Sequence, residues 1–232
     1  MYIDKFIENC TEENIAINDH NLVKLTWGNA SVSSEDGKFI AIKPSGVNPY
    51  DMSISDVSVV EISTGKHVSG KLPSVDTKIH LEIYRKYRNT KSVAHTHSHF
   101  ATVFAQSLRD IPLIGTTHAD YFNYNIPVCE QPNFDNKKSF EEELGKSVVQ
   151  CCENKITSEA VHLAVLLPSH GVLVWSSKIK KISDIAVALE ESASLAFKSL
   201  QLNPNLKVDK NSQKIFEFHY NRKNGKDAYY GQ

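Results

Sequence analysis

The segment Val93-Ala94-His95-Thr96-His97-Ser98-His99 carries the densest chemistry in the chain. Side chains alternate along a strand, so an extended segment projects His95, His97 and His99 from one face. Two imidazoles at alternate positions can reach a single divalent ion, and a third ligand must then come from elsewhere in the fold. His170 is a candidate, because Pro168-Ser169-His170-Gly171 reads as a tight turn between strands. Asp76, at an expected helix start, could supply a carboxylate. Three histidines and one oxygen suit zinc and tolerate manganese or cobalt. An H-x-H pair is also common on solvent-facing strands, and the chain has ten histidines, so the spacing alone does not decide the matter.

These side chains need elements to position them. Ile3, Phe6, Ile7 and Cys10 have helical spacing within residues 3–17. Ala30–Ser34 and Lys38–Lys43 flank Glu35-Asp36-Gly37, a hairpin signal, and Val57–Ile62 leads into a Thr64-Gly65 turn. Residues 75–87 read as a helix with Val75, Ile79 and Ile83 on one face. The histidine strand spans Ser92–His97, a helix follows over Ala101–Gln106, and Ile126–Cys129 reads as a short strand. Ser139–Asn154 is an amphipathic helix with Ser139 as N-cap and Glu142 three residues on. Leu163–Leu167 and Val172–Trp175 are strands, and Ser183–Leu202 is the longest helix, with Ser183 as its N-cap. Interleaved strands, helices and hairpins predict one α/β domain over residues 1–232 with a mixed or mainly antiparallel sheet. The sequence contains no G-x-G-x-x-G or P-loop, which disfavours a doubly wound nucleotide fold.

Bulk composition narrows the partners. Apolar residues make up 41% of the 232 and charged residues 23%, the balance of an ordinary globular chain. A formal net charge of −1 gives no reason to expect a nucleic-acid or membrane partner, while a small anionic substrate needs only a local basic pocket. MYIDKFIENC is interrupted by charge and reads as neither signal peptide nor anchor. Cys10, Cys129, Cys151 and Cys152 form no C-x-x-C pair, and we expect reduced thiols and a cytoplasmic location.

Motifs in a fixed order run from about residue 20 to the end: Asn21-Leu22-Val23, Thr26-Trp27-Gly28-Asn29, Ile42-Lys43-Pro44-Ser45-Gly46, His95-Thr96-His97-Ser98, Gly115-Thr116-Thr117-His118-Ala119-Asp120-Tyr121-Phe122, Ser169-His170-Gly171 and Ala228-Tyr229-Tyr230-Gly231-Gln232. Together they resemble the L-ribulose-5-phosphate 4-epimerases of the class II aldolase and adducin-head superfamily. The resemblance implies a three-layer α/β/α fold around a central sheet. It also implies a homotetramer with active sites at subunit boundaries, and a divalent metal, zinc foremost, on His95, His97 and His170 with Asp76 as a further ligand or near neighbour. His99 and Phe100 stand where the family usually has arginine and histidine, so His99 is not expected to be a ligand.

The implied reaction interconverts L-ribulose 5-phosphate and D-xylulose 5-phosphate. C4 is not beside the carbonyl, so deprotonation alone cannot invert it. Retro-aldol cleavage of C3–C4, turnover of the aldehyde and re-addition can. A Lewis acid stabilises the enediolate. Asp120 on one face and Tyr230, from a neighbouring subunit, on the other are implied as the acid/base groups. The substrate phosphate is expected at Gly28-Asn29, Ser45-Gly46 and Ser74-Val75, through backbone N–H groups, an amide, a hydroxyl and a helix N-terminus. Lys43 could add charge. Val75 replaces a usual serine and removes one hydroxyl donor. His219, in an expected late helix, has either a role near a neighbouring site or a structural one. Two alternatives remain: a class II aldolase releasing dihydroxyacetone phosphate and an aldehyde, disfavoured by the Asp120 segment and the Tyr230 tail, and a non-catalytic adducin-head-like interaction domain, disfavoured because such domains lack the metal histidines.

Overall fold

The computed structural model describes residues 5–132, 140–156, 160–178, 181–226 and 228–230. Helix α1 (Lys5–Asp19) is followed by strands β1 (Asn29–Ser33), β2 (Phe39–Ile42), β3 (Ser58–Glu61) and β4 (His67–Ser69). Then come α2 (Thr77–Lys86), β5 (Ser92–Thr96), α3 (His99–Gln106), the single turn α4 (Thr116–Ala119) and α5 (Phe140–Lys155). The chain closes with β6 (His162–Leu167), β7 (Gly171–Ser176), α6 (Ile182–Leu202) and α7 (Lys210–Asn224). The seven strands form one sheet in the order β4-β3-β2-β1-β5-β7-β6, and every neighbouring pair is antiparallel. The expected mixed character reduces to an isolated parallel bridge, Val128 to Leu166.

Alternation along the central strands explains the three layers. Ala94, Leu166 and Val174 face one side, where they pack with Phe104 of α3 and Ile185 and Leu189 of α6. Val93, Val165, Leu173 and Trp175 face the other, against Ile79 and Ile83 of α2 and Val148 and Cys152 of α5. Both faces are buried, so the strands read as continuous apolar runs rather than as alternating ones. Ala30, Ala94 and Ala164 are wholly buried on the first face; small side chains there let the covering helices approach closely. Helix α1 closes over Val32, Ala41 and Met52 with Cys10. All four cysteines are free and buried, and among the described residues no helix is long and apolar enough to cross a membrane.

Several boundaries differ from expectation for physical reasons. Strand β5 ends at Thr96, and His99 opens α3 rather than continuing the histidine face. Val75 lies outside α2 and is exposed, while Ile79 and Ile83 are buried. Strand β4 is three residues long and its side chains are mostly exposed, leaving no apolar pattern to read. Ile126–Cys129 makes isolated bridges, Ile111 to Ile126 and Val128 to Leu166, instead of a sheet strand. Ser183 lies inside α6, whose N-cap is Lys181 in a left-handed conformation (φ 81°). Glu13 of α1 caps that helix instead: the Lys181 and Ser183 N–H groups donate to its two carboxylate oxygens at 2.8 and 2.9 Å. Ser139, the expected cap of α5, lies outside the described residues.

Candidate metal centre and active site

Strand β5 delivers His95 into the core, and the short loop to α3 carries His97. The β6–β7 turn brings in His170, with Ser169 in a left-handed conformation (φ 58°). The three rings form a near-equilateral triangle, every pair of centroids 4.8 Å apart. One nitrogen from each ring lies within 4.8 Å of the others. His95 Nδ1 stands 3.0 Å from the Val172 carbonyl, so Nδ1 carries the proton and Nε2 offers its lone pair to the cluster. That Nε2 is 3.0 Å from His97 Nε2. Burial lowers the pKa of His95 and of His97, and takes that of His170 down to about 4. Converging neutral imidazoles repel through their lone pairs unless a cation lies among them. Two nitrogens at zinc bond length in tetrahedral geometry stand about 3.3 Å apart, close to the spacing here. The donor set therefore fits a divalent ion.

Glycines make the close packing possible. A Cβ on Gly171 would stand 2.5 Å from the Thr96 carbonyl oxygen and 3.2 Å from the His95 ring. Gly28 has φ 73°, and a Cβ there would lie 2.8 Å from the His95 carbonyl oxygen. The Thr26–Asn29 loop thus lies directly on the histidine strand, and Trp27 comes within 6.2 Å of the His97 ring.

Asp76 stands beside the triad but outside its 4.8 Å grouping. It is the N-cap residue of α2. Its Oδ2 accepts from the Asn29 amide at 2.7 Å and from the Ser74 hydroxyl at 3.4 Å. Burial would raise the Asp76 pKa, but His95, His80, the Asn29 bond and His170 outweigh it and hold the carboxyl below its ordinary value. An isolated antiparallel bridge between Pro44 and Pro73 sets the Ser45-Gly46 turn next to Ser74-Val75-Asp76. The expected phosphate donors are thus neighbours, though not all are available. The Ser45 N–H is committed to the Leu72 carbonyl at 3.1 Å, leaving its hydroxyl and the Gly46 N–H to face outward. Lys43 is buried, and its ammonium donates to the Thr26, Pro44 and Val47 carbonyls at 3.1, 3.4 and 3.1 Å. It ties the two loops together instead of reaching for an anion, and burial lowers its pKa.

Asp120, the C-cap residue of α4, belongs to a second cluster. His219 Nδ1 lies 3.0 Å and Arg222 Nη2 3.4 Å from its Oδ1, and Asn224 donates to its carbonyl at 2.9 Å. The Tyr230 ring packs on the Arg222 guanidinium, 4.4 Å from centroid to carbon. Within one chain, then, Asp120 and Tyr230 are joined through α7, whereas the resemblance implied Tyr230 reaching in from a neighbour. Among the described residues, no hydrogen bond, ion pair or ring contact joins this cluster to the three histidines. Gly231 and Gln232 lie outside the described residues. His219 and Arg222 are partners that the sequence left uncommitted; the signal for them was that the resembled family has a histidine and an arginine in this late helix. Clefts of about 460 and 870 Å³ near the β1–β2 turn contain none of these residues.

Comparison with known proteins decides the family. The profile of the class II aldolase and adducin N-terminal domain matches residues 9–197. The chain belongs to that family. It is 37% identical, over 99% of its length and 96% of the relative's, to the probable L-ribulose-5-phosphate 4-epimerase UlaF of Mycoplasma pneumoniae. Among solved structures, an L-fuculose 1-phosphate aldolase superposes with a TM-score of 0.78 at 22% identity, covering 95% of this chain and 99% of that one. YgbL of Klebsiella pneumoniae, titled a putative aldolase/epimerase/decarboxylase, superposes with a TM-score of 0.73 at 20% identity, covering 93% and 99%. At these identities the structural likenesses show the fold, a class II aldolase fold, and nothing more specific.

Proposed function

We propose that the chain is a metal-dependent L-ribulose-5-phosphate 4-epimerase. The observation that carries this reading is the convergence of His95, His97 and His170 on one point in a chain 37% identical to a protein of that name. His95, His97 and His170 would hold a divalent ion, zinc foremost with manganese or cobalt tolerated, which would supply Lewis acidity for the negative charge left by C3–C4 cleavage. His95, fixed by the Val172 carbonyl, and His97 and His170 orient the ligand set. Asp76 adds negative charge beside it.

The chain's own proton carriers act at the C4 oxygen. Asp120, oriented by His219 and Arg222, takes and returns the proton on one face, and the Tyr230 phenol does so on the other. Each such group contributes about 10²–10⁴-fold in rate. The Ser45 hydroxyl, the Gly28 and Gly46 loops and the Ser74-Val75 helix start face the phosphate, while the Asn29 amide, expected among the donors, is committed to Asp76 and Ser74. Because the Asp120 cluster and the triad share no hydrogen bond, ion pair or ring contact among the described residues, a site built from two subunits of a homotetramer accounts for both.

Incubating the purified chain with L-ribulose 5-phosphate and zinc should yield D-xylulose 5-phosphate, with loss of activity on chelation and return on adding the metal. Release of free glycolaldehyde and dihydroxyacetone phosphate in place of the epimer would assign the chain to the aldolases.

A further inference from the structure

This inference rests on reading the triad as a metal site and extends it to a residue that sequence did not single out. His80 lies on α2, fully buried, one helical turn after Asp76. Its Nδ1 stands 2.7 Å from the Ser31 hydroxyl oxygen. That oxygen is 3.0 Å from the Tyr84 hydroxyl, and Tyr84 donates to the Ser31 carbonyl at 3.1 Å. With the tyrosine proton on the carbonyl, the serine proton is available to the imidazole, along the shorter of the two contacts the serine oxygen makes. Nδ1 is then the acceptor, and the ring proton resides on Nε2.

Nε2 is buried with no hydrogen-bond partner among the described residues, an uncommon state for a donor in a folded protein. Side chains at i and i+4 share a helix face and lean toward its N-terminus, which directs the His80 ring toward Asp76. The side-chain bonds of Asp76 to Asn29 and Ser74 both use Oδ2, which leaves Oδ1 as the acceptor at the head of this turn. Burial holds the His80 ring neutral, with a pKa of about 3, and Asp76 is the main influence opposing that.

We propose that His80 is a positioning residue for the metal centre: its Nε2–H, ordered by the Tyr84–Ser31 chain and unpaired in the structure, is the donor that the free oxygen of Asp76 takes up when a metal is bound, holding that carboxylate beside His95, His97 and His170. Groups that orient the surroundings of a metal in this way typically change its affinity about 10- to 100-fold when removed.

The test is equilibrium dialysis of zinc against the full chain, with thermal unfolding measured in parallel. His80→Leu should weaken zinc binding about 10- to 100-fold. His80→Gln, which carries an N–H near the Nε2 position, should restore most of it. In an Asp76→Asn background, His80→Leu should add little further loss, because the two act through one contact. Unchanged zinc affinity in His80→Leu, equal losses in the Leu and Gln variants, or full additivity with Asp76→Asn would each overturn the proposal. Should the Leu variant fail to fold, His80→Gln is compared with His80→Asn, whose N–H sits at the Nδ1 position. Retained affinity in Gln and lost affinity in Asn supports the proposal, and equal affinities overturn it. A wild-type chain that takes up no zinc overturns the reading of the triad itself, and this inference with it; zinc uptake with indifferent His80 variants overturns the inference alone.

Discussion

Val75 shows how far a single residue can be read. Its side chain is 66% exposed at the start of α2, beside Ser74, whose hydroxyl is already held by Asn29. A hydroxyl donating to a charged phosphate contributes about 1.5–3 kcal/mol. Val75→Ser should therefore lower KM for L-ribulose 5-phosphate by roughly 10- to 100-fold and change kcat less, since a phosphate bond is the same in ground and transition states. Steady-state kinetics checks this, and an unchanged KM would place the phosphate elsewhere. The histidine triad was legible because His95 and His97 alternate across the end of β5 and His170 sits in a recognisable turn. The task of Lys43 was not: its charge suggested an anion partner, and only the fold shows three carbonyls from two loops converging on it. His80 was silent in sequence for the same reason, since Ser31, the residue that joins it to Tyr84, lies 49 positions before it.

At the scale of elements, long helices and apolar strands were readable from periodicity, while the devices that begin helices were not. Local rules look for a serine or aspartate next to the first turn. Here α6 is capped from α1 by Glu13, 170 residues from Ser183, and α3 is capped from α6. The Phe100 and Ala101 N–H groups donate to the two oxygens of Glu190 at 2.7 and 3.0 Å, while Ser98, the N-cap residue, makes no side-chain cap bond. Glu190 thus fixes the start of the helix that follows His97. Glu190→Gln turns one accepting oxygen into a donor facing another donor, and should destabilise the fold by about 1–2 kcal/mol. For a chain of this size that lowers Tm by roughly 2–4 °C per kcal/mol. Calorimetry with no shift in Tm would remove Glu190 from the capping role.

At the scale of the whole molecule, buried histidines outside the triad set acid tolerance. His118 accepts no solvent, its Nε2 donating to the Tyr124 carbonyl at 3.0 Å, and His162 is buried against Ser176. Burial takes both pKa values down to about 4. Unfolded histidine titrates near 6.5, so between about pH 6.5 and 4 the unfolded chain binds protons that the folded chain refuses. Stability must fall as pH drops through that window. Each group contributes on the order of 2–3 kcal/mol of loss by its lower end. His118→Gln keeps an N–H for the Tyr124 carbonyl and cannot titrate, so denaturant unfolding across this range should show a slope smaller by about 1.4 kcal/mol per pH unit. A slope equal to wild type would mean that His118 is protonated in the folded chain.

The assembly poses the sharpest question, because the resemblance implies that Tyr230 reaches an active site from a neighbouring subunit, while within one chain Tyr230 packs on Arg222 beside Asp120. Asp120 and Tyr230 are 110 positions apart, so no local pattern could reveal that α7 carries both His219 and Arg222 back to Asp120 and also supports Tyr230. If this whole cluster serves a neighbour's triad, complementation has a definite pattern. Subunits of His97→Ala and Asp120→Asn, dissociated, mixed in equal amounts and reassembled, should regain activity: a site is intact when an Asp120→Asn chain gives the triad and a His97→Ala chain gives the cluster. Random pairing of the two chains makes about a quarter of the sites intact. Asp120→Asn mixed with Tyr230→Phe should regain nothing, because every cluster then lacks one of its two groups. Recovery in the second mixture, measured in hybrids shown to have formed, would mean that Asp120 and Tyr230 reach a given site from different chains and that Tyr230 leaves Arg222 on assembly. Failure of both mixtures would place triad and cluster of the same chain in one site, brought together by a closure that the single subunit does not display.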